Sequence, residues 1–328
     1  MEEDKNQSKK LVPKTATEGI LTRKEYQELA DVPPEVEWFA NIDNARTRRA
    51  YQIDLREFML FVGIRHPAEF RTVTRAHVIA WRKHLESRSL GGATIRRKLA
   101  ALSSLFEYLC DHNAITHNPV KGVKRPKVES YEGKTPALGD HQARELLDAP
   151  NPETVKGKRD RALLSTFLYH GLRREELCNL KVRDITQRRG VAHLRVHGKG
   201  NKLRYIPLHP GTAELTTEYL ELAGHGADPL APLFRPVRNN INGKLDEPMS
   251  TDGVYKVVRY YARKVGVGDI ERLGAHALRA TAATNALDHE ADIAKVQEWL
   301  GHANIATTRL YDRRKHRPED SPTFKVAY

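Results

Sequence analysis

Four side chains suited to phosphate chemistry are concentrated in two adjacent segments near the end of the sequence. The segment HALRATAATNAL contains His276 and Arg279, and EWLGHANIATTRLYDRR contains His302 and Tyr311. Three helical residues span about 300 degrees of rotation, so His276 and Arg279 share a face and can address one anion. Arginine offers a planar fork to phosphate oxygens, and histidine exchanges a proton near neutral pH. An H-x-x-R pair alone is weak evidence, because most such pairs are structural.

Arg173 stands in a second arginine-bearing segment, YHGLRREELCNL. The glycine follows an apolar helical pattern, so the segment predicts a turn that presents Arg173 at the start of the next helix. A guanidinium in this place can bind an anion beside the helix N-terminus. Arg174 points to a different helix face from Arg173, and we expect Arg174 and Glu175 to be surface charges.

A predicted β-hairpin adds a further cation. Alternating residues over 191–197 and 203–208 flank the tetrapeptide GKGN, a pattern typical of two strands joined by a glycine-rich turn. The glycines let the backbone approach a ligand closely, which allows Lys199 to meet a phosphodiester. Lys199 can protonate a departing oxygen if adjacent cations lower its pKa. Lys202 and Arg204 are alternative cations nearby, and a lone lysine on a turn is normally only solvated.

Apolar stripes predict three helices in the first part of the chain. Gly63 ends the first helix, and Thr74 can cap the second. The stripes are Tyr51, Leu55, Phe58 and Val62; Val78, Trp81 and Leu85; and Ile95, Leu99, Leu102, Phe106 and Leu109. Together they indicate a small helical bundle.

The second part of the chain returns to helix on both sides of the hairpin. Asp140 can cap the helix HQARELL, and a longer apolar pattern ends at Gly171. Further helices are predicted at about 211–223, 251–265, 275–288 and 291–300. The predicted fold class is therefore mainly α with a small β-sheet, an α+β arrangement.

The charge of the chain indicates a polyanionic partner. It contains 55 Lys and Arg against 42 Asp and Glu, a net charge of +13, and its pI is about 9.6. Nucleic acid is the leading candidate partner, ahead of an anionic membrane. Two clusters are candidate DNA contacts: Arg96, Arg97 and Lys98 on the face of the third helix opposite its apolar stripe, and Lys121, Lys124 and Arg125 in a proline-containing linker.

Composition excludes several classes of protein. Mean hydropathy is -0.62, and no stretch reaches the roughly 20 apolar residues of a membrane-spanning helix. The N-terminus is polar where a signal peptide would be apolar. We expect a cytoplasmic, nucleoid-associated protein. The histidines His193, His197 and His209 lack carboxylate or cysteine companions, so no metal site is expected.

The segments GLRREEL, HGKGNKLRYIPL, HALRATAAT and LGHANIATTRLYDRR occur in this order. Together they resemble the tyrosine recombinases, the family of phage integrases, Cre and Xer proteins. With the patterns above, the resemblance divides the chain into a flexible polar tail (1–32), a helical core-binding domain that binds DNA (33–118), a basic linker (119–135), a catalytic domain (136–315) and a C-terminal tail (316–328).

The resemblance also implies a role for each candidate site residue. Arg173 and Arg279 would clamp the scissile phosphate, Tyr311 would form a 3′-phosphotyrosyl bond, Lys199 would protonate the 5′-oxygen, His276 would act as acid and base, His302 would hydrogen-bond the phosphate, and Glu176 would support the geometry. A tyrosine of ordinary pKa needs such cations and a base to become a nucleophile. The phosphotyrosine stores the bond energy, so no metal, ATP or other cofactor is expected.

Two departures from the family pattern concern neighbours of the arginines. Arg174 and Glu175 stand where the family usually has a small or apolar residue followed by Ser or Gly, and Ala280 replaces a common histidine. Neither removes a catalytic group, although each can alter the surroundings of the site.

The resemblance implies a metal- and ATP-independent recombinase that acts on double-stranded DNA as a homotetramer on paired sites, in integration, excision or resolution. An accessory directionality factor or a sister recombinase is a candidate partner, and no membrane partner is expected. A prokaryote, phage or mobile element is the expected source. A type IB topoisomerase-like relaxing enzyme and a catalytically silent DNA-binding protein are the alternatives.

Overall fold

The computed structural model of the protein describes Lys24, Val32 and residues 34–127, 135–198, 202–239, 242–271 and 273–312. The chain divides into two units, Met1–Glu129 and Ser130–Tyr328. The predicted polar tail, residues 1–32, lies outside the described residues apart from Lys24 and Val32, and the predicted C-terminal tail, residues 316–328, lies wholly outside them. Within the described ranges, no helix is both long enough and apolar enough to cross a membrane.

The helices of the first unit begin and end at local capping signals. The side-chain oxygen of Asn44 accepts hydrogen bonds from the backbone N–H groups of Arg46 and Thr47, both at 3.0 Å. Gly63 ends that helix in the left-handed conformation, with φ of 82°. The elements are α1 (Pro34–Ala40), α2 (Ala45–Val62), a 3-10 helix (Pro67–Thr72), α3 (Arg75–Ser87) and α4 (Gly92–Asp111). The three helices predicted from apolar stripes are confirmed as α2, α3 and α4.

The predicted stripes of α3 and α4 form the core of the first unit. Trp81 is fully buried and meets the ring of Phe58 edge-on, with 5.0 Å between the centroids. Tyr51, Leu55 and Val62 pack at the margin of this core and are only half-buried. A fully buried large apolar side chain contributes about 1.5–3 kcal/mol, and Phe58 makes that contribution for α2.

Lys98 does not lie on the exposed basic face predicted for α4. Its ammonium nitrogen lies 2.9 Å from Asp54 Oδ1 and 2.5 Å from Glu57 Oε2, and its side chain is 7% exposed. Arg97 also binds Asp54, with 3.0 Å between Nη2 and Oδ1. The placement of Lys98 on the surface was wrong because Asp54 on α2 is fully buried, and a buried carboxylate requires paired cations. Arg96 is exposed.

The beginning of the predicted basic linker belongs to the core of the first unit. Val120 and Val123 are buried there. Asn118 fixes this segment, since its side-chain nitrogen donates to Ser103 O at 3.0 Å and its side-chain oxygen accepts from Val120 N at 2.9 Å. The prediction of a linker over residues 119–135 therefore does not hold for its first residues.

Two helices buried along most of their lengths form the centre of the second unit, α6 (Val155–His170) and α10 (Ala275–Asp288). A helix buried on nearly all sides is typical of a domain core. The others are α5 (Asp140–Asp148), α7 (Arg174–Cys178), α8 (Pro210–Ala223), α9 (Thr251–Lys264), α11 (Ile293–Leu300) and α12 (Ile305–Arg309). The four helices predicted after the hairpin are confirmed.

The prediction that Asp140 caps α5 is wrong. Gly139 is the N-cap, and Asp140 is already helical. The carboxylate of Asp140 instead accepts a hydrogen bond from the side chain of Asn285 on α10, at 2.7 Å. This contact ties the start of α5 to the buried helix.

A three-stranded antiparallel sheet of order β1-β2-β3 completes the second unit. The strands are β1 (Ile185–Arg188), β2 (Val191–His197) and β3 (Leu203–Pro207). The predicted hairpin is confirmed as β2 and β3, in which Val196 pairs with Arg204. The tip of the hairpin, residues 199–201, lies outside the described residues. The first strand was not predicted from the sequence.

Candidate active site

Arg173 lies at the turn between α6 and α7. Gly171 ends α6 with a left-handed φ of 56°, and a Cβ at this position would lie 2.8 Å from Cδ2 of Leu300. Glycine is therefore favoured here both by the backbone conformation and by the limited space. Arg173 follows in an extended conformation as the N-cap of α7, as predicted.

Glu176 orients Arg173. The carboxylate of Glu176 accepts from the backbone N–H of Arg173 at 2.8 Å and from Nη1 of the same residue at 2.7 Å. Nη2 of Arg173 donates to the carbonyl oxygen of Gly301 at 3.2 Å. Arg173 is thus held by two acceptors, while its side chain remains 35% exposed and able to meet a ligand.

Arg204 on β3 is a second cation bound to Glu176. Its Nη1 and Nη2 lie 3.0 Å from Oε1 and 2.7 Å from Oε2. Burial alone would raise the pKa of Glu176, but hydrogen bonds from Arg204 and from the backbone and side chain of Arg173 lower it to about 2. Glu176 is therefore an anion between two guanidinium groups at neutral pH.

Arg279 is buried at the centre of the site, with 1% exposure. Its Nη1 donates to the carbonyl oxygen of Gly171 at 2.5 Å, and its Nη2 donates to that of Leu300 at 2.7 Å. Both carbonyls belong to the ends of helices, α6 and α11, where they lack helical partners. Burial and the charge of Arg173 lower the pKa of Arg279 to about 10. The group remains a cation at neutral pH.

His302 connects Arg279 to α12. Nε2 of His302 lies 2.9 Å from Nη2 of Arg279, and Nδ1 lies 2.9 Å from Oγ1 of Thr308. Arginine has donors only, so Nε2 accepts and the ring proton is on Nδ1. Burial and the charges of Arg279 and Arg173 lower the pKa of His302 to about 4. The imidazole is therefore neutral at pH 7.

Tyr311 follows α12 and is 6% exposed. Its ring packs in a cluster with Ala280 and Leu287 of α10, and its centroid lies 5.9 Å from that of His302. The hydroxyl of Thr284 donates to its carbonyl oxygen at 3.2 Å. Burial raises the pKa of Tyr311, while the charge and hydrogen bond of Arg279 act in the opposite direction. The side chain is a protonated phenol at neutral pH in this state.

His276 lies at the start of α10, on the same face of the helix as Arg279. It has exposed surface, yet the protein around it still removes enough water to disfavour the imidazolium. This partial burial, with the charges of Arg279 and Arg173, lowers the pKa of His276. Its neutral form is favoured at neutral pH, and a neutral imidazole can accept a proton.

The structure brings five predicted residues together in two groups: Arg173 with Glu176, and Arg279 with His302 and Tyr311. The groups meet where Arg173 and Arg279 bind the successive carbonyls of Gly301 and Leu300. Of the other predicted catalytic residues, His276 lies one helical turn before Arg279 and Lys199 is outside the described residues. The sequence suggested Arg204 only as an alternative to Lys199. Its pairing with Glu176 depends on how β3 meets α7, which no local pattern reports.

The predicted DNA contacts of the first unit occupy different environments. Arg96, Lys124 and Arg125 are exposed. Lys121 is exposed and lies 3.8 Å from Glu107, whereas Arg97 is paired with Asp54 and Lys98 is buried. Fewer than the six residues named from the sequence are therefore available to contact phosphates.

Among the described residues, no cluster of three or more His, Cys, Asp and Glu side chains could hold a metal ion. The three histidines considered above for metal binding have local partners or exposed positions. Nδ1 of His193 contacts the carbonyl oxygen of Val191 at 2.9 Å, the ring of His209 stacks on Tyr169, and His197 is exposed.

Models of known families match both units. The phage integrase family matches residues 137–317, and the phage integrase N-terminal SAM-like domain matches residues 44–113. The chain therefore belongs to the phage integrase family. It is a tyrosine recombinase, an enzyme of site-specific DNA recombination.

Relatives of known name support the same assignment over most of the chain. Tyrosine recombinase XerC of Herpetosiphon aurantiacus is 33% identical over 271 residues, which are 81% of this chain and 83% of the relative. XerC of Roseiflexus sp. (strain RS-1) is 32% identical over 289 residues, covering 85% and 86% of the two chains. XerD of Listeria monocytogenes is 29% identical over 272 residues, covering 82% and 88%.

Solved structures share the fold at low identity. XerH recombinase bound to palindromic difH substrate, in a post-cleavage complex, matches with a TM-score of 0.65 and 22% identity over 85% of this chain and 80% of that chain. A lambda integrase tetramer bound to a Holliday junction matches with a TM-score of 0.63 and 18% identity over 88% and 77%. These neighbours are DNA complexes of recombinases, some of them dimers or tetramers.

Proposed function

We propose that the chain recombines DNA by attacking a phosphodiester with the hydroxyl oxygen of Tyr311. The oxygen bonds to phosphorus, a 3′-phosphotyrosyl linkage forms, and the bond to the 5′-oxygen breaks, leaving a 5′-hydroxyl. The 5′-hydroxyl of a second strand then reverses the step and restores a phosphodiester. The observation that carries the proposal is the position of Tyr311 beside His302 and Arg279.

Arg173 and Arg279 are the groups that stabilise the transition state. In-line attack increases the charge on the non-bridging oxygens, and fixed cations are most effective when they are oriented before the reaction. Arg279 is anchored by the carbonyls of Gly171 and Leu300, and Arg173 by Glu176 and the carbonyl of Gly301. Little reorganisation is then needed when the phosphate arrives.

Two residues handle protons in the proposed reaction, and His302 binds the phosphate. His276, whose neutral form is favoured, accepts the proton of the Tyr311 hydroxyl and returns it in the reverse step. His302, by resemblance to the family, hydrogen-bonds a non-bridging oxygen. Its Nε2 accepts from Arg279 in the absence of DNA, so this role requires that contact to open when the phosphate arrives. Lys199, by resemblance to the family, protonates the departing 5′-oxygen.

The DNA partner is proposed to be a specific duplex held by both units. Residues 33–118 form the core-binding domain and residues 136–315 the catalytic domain in this proposal, which the family matches at 44–113 and 137–317 support. Exposed Arg96, Lys124 and Arg125 contact phosphates. Two paired sites hold a homotetramer, with an accessory directionality factor or a sister recombinase as a further partner. A prokaryote, phage or mobile element is the proposed source, and the bacterial relatives support a prokaryotic one.

Trapping of the covalent intermediate tests the proposal directly. The substrates are duplexes that tile the DNA flanking the gene, each with a nick placed near the candidate cut, so that the cleaved end diffuses away. Wild type is expected to form an SDS-resistant, protease-sensitive adduct that Tyr311→Phe does not form. The junction of the adduct locates the cleavage site. Footprinted binding by wild type without any adduct would contradict the proposal and favour a silent DNA-binding protein.

Relaxation of supercoiled plasmid separates recombination from topoisomerase-type activity. A recombinase is expected to join strands between two mapped sites and to depend on those sites. If a plasmid that lacks the site is relaxed as fast as one that contains it, and without strand exchange, the chain is a type IB topoisomerase-like enzyme instead.

A further inference from the structure

Arg204 contacts both groups that hold Arg173. The first is Glu176, whose carboxylate it binds through Nη1 at 3.0 Å and Nη2 at 2.7 Å. The second is Gly301, whose carbonyl accepts from Arg173. Arg204 fills the space beside this glycine, because a Cβ there would lie 3.3 Å from Cδ of Arg204. The side chain of Arg204 is 15% exposed.

Glu176 consequently receives four N–H donors in a fixed arrangement. Two come from the backbone and Nη1 of Arg173, at 2.8 and 2.7 Å, and two come from Arg204. Oε1 is shared by the two guanidinium groups, and Oε2 is shared by the backbone of Arg173 and Nη2 of Arg204. Arg204 binds both Oε1 and Oε2 of Glu176. This contact prevents the carboxylate from turning so that both oxygens bind the Arg173 guanidinium.

We propose that Arg204 is a positioning residue for the recombination reaction: it holds Glu176 and Gly301 so that Arg173 directs its remaining donors to the scissile phosphate. Without Arg204, Glu176 turns towards Arg173, pairs with it through both oxygens and withdraws the cation from the phosphate. The two terminal nitrogens of Arg204 are themselves engaged by Glu176, so Arg204 acts through Arg173. This inference rests on the function proposed above.

A matched control is present on the neighbouring strand. Arg195 on β2 binds Asp184 through Nε at 2.9 Å and Nη2 at 2.8 Å, with a side chain that is 29% exposed. Asp184 also accepts from the backbone N–H of Lys181, three residues earlier, at 2.9 Å. As with Arg204 and Glu176, a strand arginine binds a carboxylate that also accepts a backbone N–H from three residues earlier. Arg195 engages only Oδ1, and a lysine, Lys181, stands where Arg173 stands in the site.

Arg204→Met and Arg195→Met of the full chain test the proposal in two measurements. The first is a crystal structure of each variant without DNA. We expect the Arg173 guanidinium to leave its wild-type position in Arg204→Met and to keep it in Arg195→Met. An Arg173 that overlays on wild type in Arg204→Met overturns the proposal. This measurement does not depend on catalysis, so it decides the role of Arg204 even if wild type forms no Tyr311-dependent adduct and the proposed function fails.

The second measurement is single-turnover adduct formation on the nicked duplex mapped above, at saturating protein. The rate is expected to fall about 10- to 100-fold in Arg204→Met, the range typical of residues that orient a catalytic group, with the Kd for DNA unchanged. Arg195→Met retains the wild-type rate. In an Arg173→Lys background, Arg204→Met has no additional effect, because the group that it positions is gone. An equal loss in that background, or in Arg195→Met, would indicate a merely structural role.

Discussion

Arg279 donates a hydrogen bond through Nη2 to Nε2 of His302, at 2.9 Å, while the same nitrogen donates to the carbonyl oxygen of Leu300 at 2.7 Å. One guanidinium group thus determines the tautomer of the histidine and also satisfies the end of a helix. A residue with both tasks affects catalysis and stability together, whereas a residue with one task affects only catalysis. This difference separates the two arginines of the site.

Arg279→Met is expected to destabilise the protein, and Arg173→Met is not. Loss of Arg279 leaves the buried carbonyl oxygens of Gly171 and Leu300 without a donor, at a cost of roughly 2–4 kcal/mol. Arg173 is partly exposed, and Glu176 keeps Arg204 as its partner. Urea unfolding measures the stabilities, and adduct formation is expected to be lost in both variants. Equal stability of the two variants would contradict this account of Arg279.

The stability of the second unit is expected to fall in mild acid because of His170. This residue is buried, accepts from the backbone N–H of His209 through Nε2 at 3.0 Å, and has a pKa that burial lowers from 6.5 to about 4. Between these values the unfolded chain binds one more proton at this site than the folded chain. The free energy of unfolding therefore decreases as pH falls, by up to about 1.4 kcal/mol per pH unit.

His170→Gln tests this assignment, because an amide oxygen can accept the same N–H without titrating. Urea unfolding at several values between pH 4 and 7 is expected to show a shallower pH dependence in this variant. His141→Gln, at an exposed position, is the control and should follow wild type. Parallel curves for wild type and His170→Gln would show that the buried imidazole is not responsible.

Gly171→Ala is expected to cost more than Gly190→Ala. Both glycines have positive φ, 56° and 78°, and alanine in that region costs about 1–2 kcal/mol. A Cβ at Gly190 meets nothing within 4 Å, whereas one at Gly171 lies 2.8 Å from Leu300. Overpacking adds about 1–3 kcal/mol. Thermal unfolding compares the two, and adduct formation should decrease only in Gly171→Ala, since Leu300 helps to hold Arg279.

Lys98→Met is expected to lower stability, and Arg96→Met is expected to change only DNA binding. Removal of Lys98 leaves the buried Asp54 with Arg97 as its remaining cation, and the lost hydrogen bond between charged groups costs about 1.5–3 kcal/mol. Arg96 is exposed, so its replacement leaves stability unchanged. If Arg96 contacts a phosphate, the slope of log binding constant against log salt falls by about 0.9. Denaturation and DNA binding at several salt concentrations measure both; a stable Lys98→Met would contradict the buried network.

Much of the candidate site could be predicted because its residues lie at local signals. Arg173 follows a helix-ending glycine, and His276 and Arg279 are one helical turn apart on α10. The ends of α2 and α6 were read correctly for the same reason, since a glycine at a helix terminus reports its own backbone conformation. Such features depend on residues within one turn of each other.

Other features depend on elements that are distant in sequence. Lys98 follows two arginines in the sequence and therefore resembles a surface cation. It is buried because it pairs with Asp54 on α2. The strand Ile185–Arg188 is short and lacks alternation, and it forms because β2 offers a pairing edge. The sequence around Val120 and Val123 is typical of a linker, but both side chains are buried in the core of the helical bundle.

The sequence by itself determined the helices with apolar stripes, the hairpin and the candidate site residues with their order along the chain, because these are read from the residues and from spacings of a few positions. Tertiary structure alone decided which charges pair, that His302 is a neutral Nδ1–H imidazole and that Arg204 meets Glu176. Protonation and orientation depend on burial and on partners brought together across long stretches of chain, and those are properties of the packed fold.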